Sequence, residues 1–167
     1  QCEDWPWPVK IFTLGRFVIL QEDKPMQFTG KVQQKPLEML KAILSIGSGE
    51  APEDHLIDAL WPDAEGDSAH QSLEITLHRL RRLMGSDKAV KRQGRQVLLD
   101  KRYCWVDAWA FEVAAESLQA IHELPPQSTT AEDVRAAEKA INIYKGHFLP
   151  EDAGRIWTAS TRLRLQN

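Results

Sequence analysis

Cysteine is scarce: Cys2 and Cys104 are the only two in 167 residues, and they lie far apart in the chain. That spacing supports neither a zinc motif nor a disulfide framework, so a reducing, cytoplasmic setting is expected. No apolar run approaches the roughly 18 residues of a membrane-spanning helix. The opening segment Gln1 to Pro8 lacks the basic-then-apolar plan of a signal peptide. A Gly-rich phosphate loop, a nucleophile elbow and an HExxH helix are all missing. His55, His70, His78, His122 and His147 are scattered, and His70 and His78 share one side of a predicted helix only loosely, which argues against a metal pair. Asp54 and Asp58 stand i, i+4 on a predicted helix, where a solvated face is the expected role and an acid/base pair is not. With no catalytic constellation, the chain does not read as an enzyme, and no cofactor or metal is expected.

What the chain does have is an ordinary soluble composition, 43% hydrophobic and 27% charged, with a formal net charge of −3. The charge is unevenly spread. Between Ser68 and Trp105 stand nine basic residues: Arg79, Arg81, Arg82, Lys88, Lys91, Arg92, Arg95, Lys101 and Arg102. They face three acids, Glu74, Asp87 and Asp100. A basic patch on an acidic chain can hold phosphates without binding every polyanion indiscriminately. A solvated helix face and hairpin would carry the same charges without any such role.

The pattern along the chain gives a mixed α+β class. Residues 1–9, rich in Pro and Trp and opening on Gln, read as a tail or linker of an excised or processed chain. Ile11 to Ile19 is β-branched and aromatic, with Gly15 at a bend; Glu22 to Pro25 is a predicted turn and Met26 to Thr29 a further strand. Pro36 suits a first helical turn, and Leu37, Leu40, Ile43 and Leu44 recur at helical spacing until Gly47 and Gly49. A shorter helix is expected from Glu53 to Trp61, closed by Pro62. The clearest helix is 68–84, where Ser68 and Gln71 fit a capping box. Its apolar stripe is Ala69, Leu73, Leu77, Leu80 and Met84. A hairpin follows, with Ala89 to Lys91 and Val97 to Leu99 around the turn Arg92-Gln93-Gly94 and Arg95 beside its tip; a turn at Asp100 to Arg102 leads into Tyr103 to Val106. Beyond it, Asp107 is placed to cap a helix running to His122, with Phe111, Ala115 and Leu118 on one side. Thr130 with Asp133 is placed to cap a helix from Ala131 to Lys145, with the stripe Ala136, Ala140, Ile143 and Tyr144. A last helix is expected from about Gly154, carrying Ile156, Trp157, Leu163 and Leu165.

The far side of the 68–84 helix carries Gln71, Glu74, Ile75, His78, Arg79 and Arg82. A helix fits the DNA major groove, where Arg grips guanine O6 and N7, Gln reads adenine and a carboxylate accepts from cytosine N4. Ile75 fits a thymine methyl, or equally a neighbouring protein surface. Lys91, Arg92 and Arg95 would then form a wing on the backbone or minor groove. About five cations on phosphates would give a slope of log K against log salt of roughly −4 to −5.

The order of these motifs resembles a known family. A β-rich start, three helices and a hairpin are similar to the OmpR/PhoB-type winged helix-turn-helix. Leu56-Ile57-Asp58-Ala59-Leu60-Trp61-Pro62-Asp63, followed by Leu77-His78-Arg79-Leu80-Arg81-Arg82-Leu83-Met84-Gly85, resembles SARP-like bacterial transcriptional activators, as does Thr13-Leu14-Gly15-Arg16-Phe17. Cys104 to Glu112, Tyr144 to Pro150, Trp157 and Arg162-Leu163 resemble the bacterial transcriptional activator domain (BTAD), built of tetratricopeptide-like helix pairs. The resemblance implies a winged-helix DNA-binding domain at 10–106 and an all-α BTAD-like segment at 107–167, shorter than full activator domains. It implies that the 68–84 helix enters the major groove of double-stranded DNA, that Glu74, Ile75, His78, Arg79 and Arg81 match positions turned to DNA, and that the loop 62–66 can face RNA polymerase. It also admits a homodimer on repeated half-sites, although no dimer seam is legible. The competing reading is a protein–protein interaction module, whose winged helix meets an acidic partner. What separates the two is whether the Gln71/Ile75/Arg79/Arg82 face is open.

Overall fold

The computed structural model describes residues 5–28, 33–47, 49–64, 66–122 and 130–166. The β-rich start is a pair of antiparallel strands, β1 (Val9–Phe12) and β2 (Val18–Gln21), turning at Gly15. Val9 is fully buried in β1, so the sheet begins one residue inside the segment read as tail. The next strand, β3 (Lys24–Pro25), falls where a turn was expected, because the reversal is tighter: Glu22 and Asp23, with φ of 48° and 62°, form the two-residue loop. Pro25 has no N–H to extend the ladder, and Met26–Phe28 form no strand. Thr29 lies outside the described residues.

Helix α1 (Gln34–Gly47) has Pro36 in its first turn and buries Met39, Leu40, Ala42, Ile43 and Leu44. A three-residue strand, β4 (Glu50–Pro52), runs straight into α2 (Glu53–Leu60), whose end is marked by Trp61 N–H donating to Ile57 O. Helix α3 (Gly66–Leu83) starts two residues before the expected Ser68 cap. Gly66, at φ 53°, makes the turn into the helix, and Asp67 puts negative charge at the N-terminal dipole, so Ser68 lies within the first turn. The stripe is as read: Ala69, Leu73, Leu77, Leu80 and Met84 are all buried.

Strands β5 (Val90–Gln93) and β6 (Gln96–Leu99) form the hairpin, and β4 pairs with β6 to give a three-stranded sheet in the order β4-β6-β5. Gly94, at φ 60°, opens the two-residue loop Gly94-Arg95, so Arg92 lies in the strand opposite Val97 and not at the tip. Strand β7 (Cys104–Val106) leaves the hairpin and lies parallel to β1, completing a sheet in the order β3-β2-β1-β7.

Strand β7 passes without a linker into α4 (Asp107–His122), which packs against α5 (Ala131–Ile143). Thr130 and Asp133 form the expected capping box, but α5 ends before Lys145, at Ile143. A 3-10 turn, Pro150–Asp152, precedes the expected last helix, which is itself split into a second 3-10 turn, Ile156–Thr158, and a short α6 (Ala159–Arg164). The Thr158 hydroxyl donates to the Arg155 and Asp152 carbonyls at 2.8 and 3.2 Å, competing with a regular helical ladder there. As a result Trp157 and Leu165 turn inward, whereas Ile156 and Leu163 are exposed.

One hydrophobic cluster runs from Val9 through α1, α2 and α3 to Phe148, Leu149 and Leu165. Asp107 is buried at the seam. Its carboxylate accepts from the N–H groups of Thr13, Leu14 and Ala108 and from the Thr13 hydroxyl, at 2.7–2.9 Å.

Candidate nucleic-acid interface

Helix α3 packs its apolar stripe on α1 and α2 and touches β5 along one edge. At about 100° per residue, Gln71, Ile75, His78 and Arg82 fall within an arc of about 60° opposite that stripe. All four are exposed, as is Arg79 on one margin of the arc. The C-terminal helices leave this face open. Ile75 is 45% exposed, an apolar side chain in the middle of a polar face. Among the described residues neither Arg79 nor Arg82 has an ion-pair partner.

Glu74 and Arg81 fall on the other margin, toward the hairpin, and both are engaged there. Arg81 is half-buried and its Nε donates to Val90 O at 2.9 Å, which sets it apart from the open face. Glu74 accepts from Arg92 Nη1.

The hairpin cations are paired as well. Arg92 holds the buried Glu53 carboxylate with Nε and with Nη2, the latter at 2.7 Å. The Glu53 hydrogen bond, with Glu74 adding to it, pushes the Arg92 guanidinium above its ordinary range. Arg95 meets Asp54 at 3.0 Å, both side chains being exposed. Lys91 meets Asp100 at 2.6 Å. Arg102, together with Lys91, holds the Asp100 carboxyl well below the usual carboxylate range.

Glu53 and Asp54, acids outside 68–105, therefore take up two of its basic residues, Arg92 and Arg95, and reduce the basic surplus without cancelling it. Sequence reading missed them because they lie about forty residues from their partners, and only the β4–β6 pairing brings the start of α2 to the hairpin. Glu53 N–H also donates to Arg95 O, at 3.0 Å. Among the described residues, Arg79, Arg82 and Lys88 of the patch have neither an ion pair nor a side-chain hydrogen bond, and Arg81 has its bond to Val90 O but no ion pair.

No protein-family model matches the chain, and no curated protein matches it. Among solved structures, Mycobacterium tuberculosis EmbR, determined in complex with a low-affinity phosphopeptide, superposes with a TM-score of 0.65 at 19% identity. The superposition covers 95% of this chain and 42% of that one, so this chain spans less than half the length of its structural relative. Nearly the whole chain thus shares its fold with part of EmbR.

Proposed function

We propose that this chain is a sequence-specific, DNA-binding transcriptional regulator of the SARP type, with residues 10–106 as the winged-helix part and 107–167 as a BTAD-like helical part. The observation that carries the reading is the open face of α3, with two arginines that have no ion pair among the described residues, a glutamine and a lone isoleucine among polar neighbours. A readout surface needs that mixture, and a merely solvated face does not. The fold shared with EmbR, a SARP-family regulator, supports the same class.

In this reading α3 enters the major groove, Arg79 and Arg82 grip guanines or phosphates, Gln71 and His78 read base edges, and Ile75 meets a thymine methyl. Lys88 holds the backbone. Arg95 exchanges its surface carboxylate for a phosphate, a small loss because exposed ion pairs are worth little. Lys91 does so at more cost, since Asp100 is buried. The loop 62–66 is the surface offered to RNA polymerase, and a second copy would occupy a repeated half-site.

Arg79, Arg82 and Lys88 reach DNA without giving up an ion pair and Lys91 and Arg95 reach it by exchange, so log K on random DNA should fall with log salt at a slope between roughly −3 and −5. The test is fluorescence anisotropy on a random-sequence duplex pool across a salt series. We expect salt-dependent binding by the natural chain and its loss in Arg79→Glu/Arg82→Glu. Failure of the natural chain to bind at low salt, with this face open, would reject the reading in favour of a protein-binding module.

A further inference from the structure

The hairpin carries two arginines whose ion pairs differ in kind. Arg95 and Asp54 have side chains 73% and 61% exposed, and water can replace either partner. Arg92 is bound on Glu53, whose side chain is only 2% exposed. Among the described residues no other cation pairs with Glu53. Removing Arg92 toward a phosphate would strand that carboxylate in the interior, and breaking a buried pair by taking away one partner is strongly destabilising. Arg92 is therefore poorly suited to the phosphate contact that its place in a basic hairpin suggests.

Its geometry suits another task. The guanidinium is a rigid planar fork. Two of its nitrogens hold the first residue of α2, and the third reaches Glu74 on the margin of α3. The backbone of Arg92 belongs to β5, so one side chain ties the hairpin to both helices. Arg81 makes the reciprocal link, from α3 to the backbone of β5 at Val90. The two links lie on the same flank of α3, beside the open arc and outside it.

We propose that Arg92 is a positioning, specificity-determining residue: anchored on Glu53 and reaching Glu74, it fixes the hairpin against α3 and so sets which base edges the open face meets. The Glu74 carboxylate, taken up by this link, is withdrawn from base reading. The inference rests on the DNA-binding reading above, but the clasp exists in the free protein and can be tested there too.

The experiment uses the full chain, the random duplex pool and the tightest duplex selected from that pool. Arg92→Gln should lower the affinity ratio of selected duplex over pool about tenfold, the worth of one well-placed base contact, while leaving the salt slope on the pool unchanged. Arg92→Lys keeps the charge but not the fork and should fail to restore the ratio. Glu53→Gln should match Arg92→Gln, and the double variant should be no worse. Glu74→Gln, at an exposed position where folding is secure, should lower the ratio several-fold by releasing the α3 arm. A slope on the pool smaller by about one unit in Arg92→Gln, restored by Arg92→Lys, would make Arg92 a phosphate contact and overturn the proposal. An unchanged ratio in Glu74→Gln would overturn it as well. If the natural chain binds neither duplex, the DNA-binding reading fails by itself. The clasp is then judged by urea denaturation, where the Glu53→Gln and Arg92→Gln losses should be strongly non-additive; additive losses would overturn it.

Discussion

Asp100 shows how a single residue in the hairpin's base couples charge to stability. It is 8% exposed, and it accepts hydrogen bonds from the Arg102 side chain and backbone and pairs with Lys91. Arg102 first, and Lys91 after it, hold its carboxyl below the ordinary range, against the opposing pull of burial. A carboxyl depressed in the folded state contributes stability that is present above its unfolded pKa, about 3.9. That contribution is lost as pH falls through the folded value. Urea midpoints of the natural chain should therefore drop between about pH 4 and pH 2, and Asp100→Asn should show a shallower drop over that range, starting from a lower midpoint at neutral pH. Parallel acid limbs for the two proteins would mean that Asp100 carries no such coupling. At this scale sequence reading placed Lys91 and Arg92 in the hairpin but could not see their partners. Asp100 and Glu53 become partners only once strands pair, and no local pattern announces a carboxylate that will be buried.

Elements with a long periodic pattern were legible, and short ones were not. The stripe of α3 spans sixteen residues with the same spacing throughout, so its face was fixed whatever the start of the helix; the start itself moved two residues because Gly66 and Asp67 compete with Ser68 as entry residues. The capping box of α5 was read correctly because Thr130 and Asp133 satisfy one another locally. Strand β4 has three residues and no alternation to detect, and the partner of β7 is set by the sheet, not by its own sequence. Turns divide the same way. Gly15 and Gly94 both have positive φ, 79° and 60°, yet a side chain at Gly94 would meet nothing within 4 Å, whereas a Cβ at Gly15 would lie 2.5 Å from the Lys145 carbonyl oxygen. Backbone cannot swing aside as a side chain can. Gly94→Ala should thus cost only the conformational penalty, about 1 kcal/mol, and Gly15→Ala clearly more, about 2–4 kcal/mol. Equal urea midpoints for the two variants would show that the 144–149 segment yields to Gly15 freely.

For the whole molecule, the question is whether the two proposed parts, residues 10–106 and 107–167, stand apart energetically. Sequence reading divides them at 106/107, and the topology offers no linker there. Leu14 pairs with Phe148 in an isolated bridge, Gly15 N–H donates to His147 O at 2.9 Å and Leu149 N–H to Thr13 O at 2.8 Å. On α1, Lys41 meets Asp152 at 2.6 Å and the Thr161 hydroxyl donates to Ser45 O at 2.5 Å, all largely buried. A chain ending at Val106 would be large enough to fold by size alone, but it would lose Phe148, Leu149 and Leu165 from the shared core and leave the Thr13 and Leu14 N–H groups without Asp107. Burial of three such side chains is worth about 1.5–3 kcal/mol each, against a total of about 5–15 kcal/mol for a typical domain. The full chain should therefore unfold in one urea transition, with tryptophan fluorescence and far-ultraviolet circular dichroism coincident, and the chain ending at Val106 should unfold at a much lower urea concentration. Two separated transitions in the full chain would make the helical part an independent unit. A single one would mean that whatever binds α4, α5 or the 144–149 segment binds the same cooperative folded body that presents the open face of α3, joined to it at the Thr13–Gly15 turn.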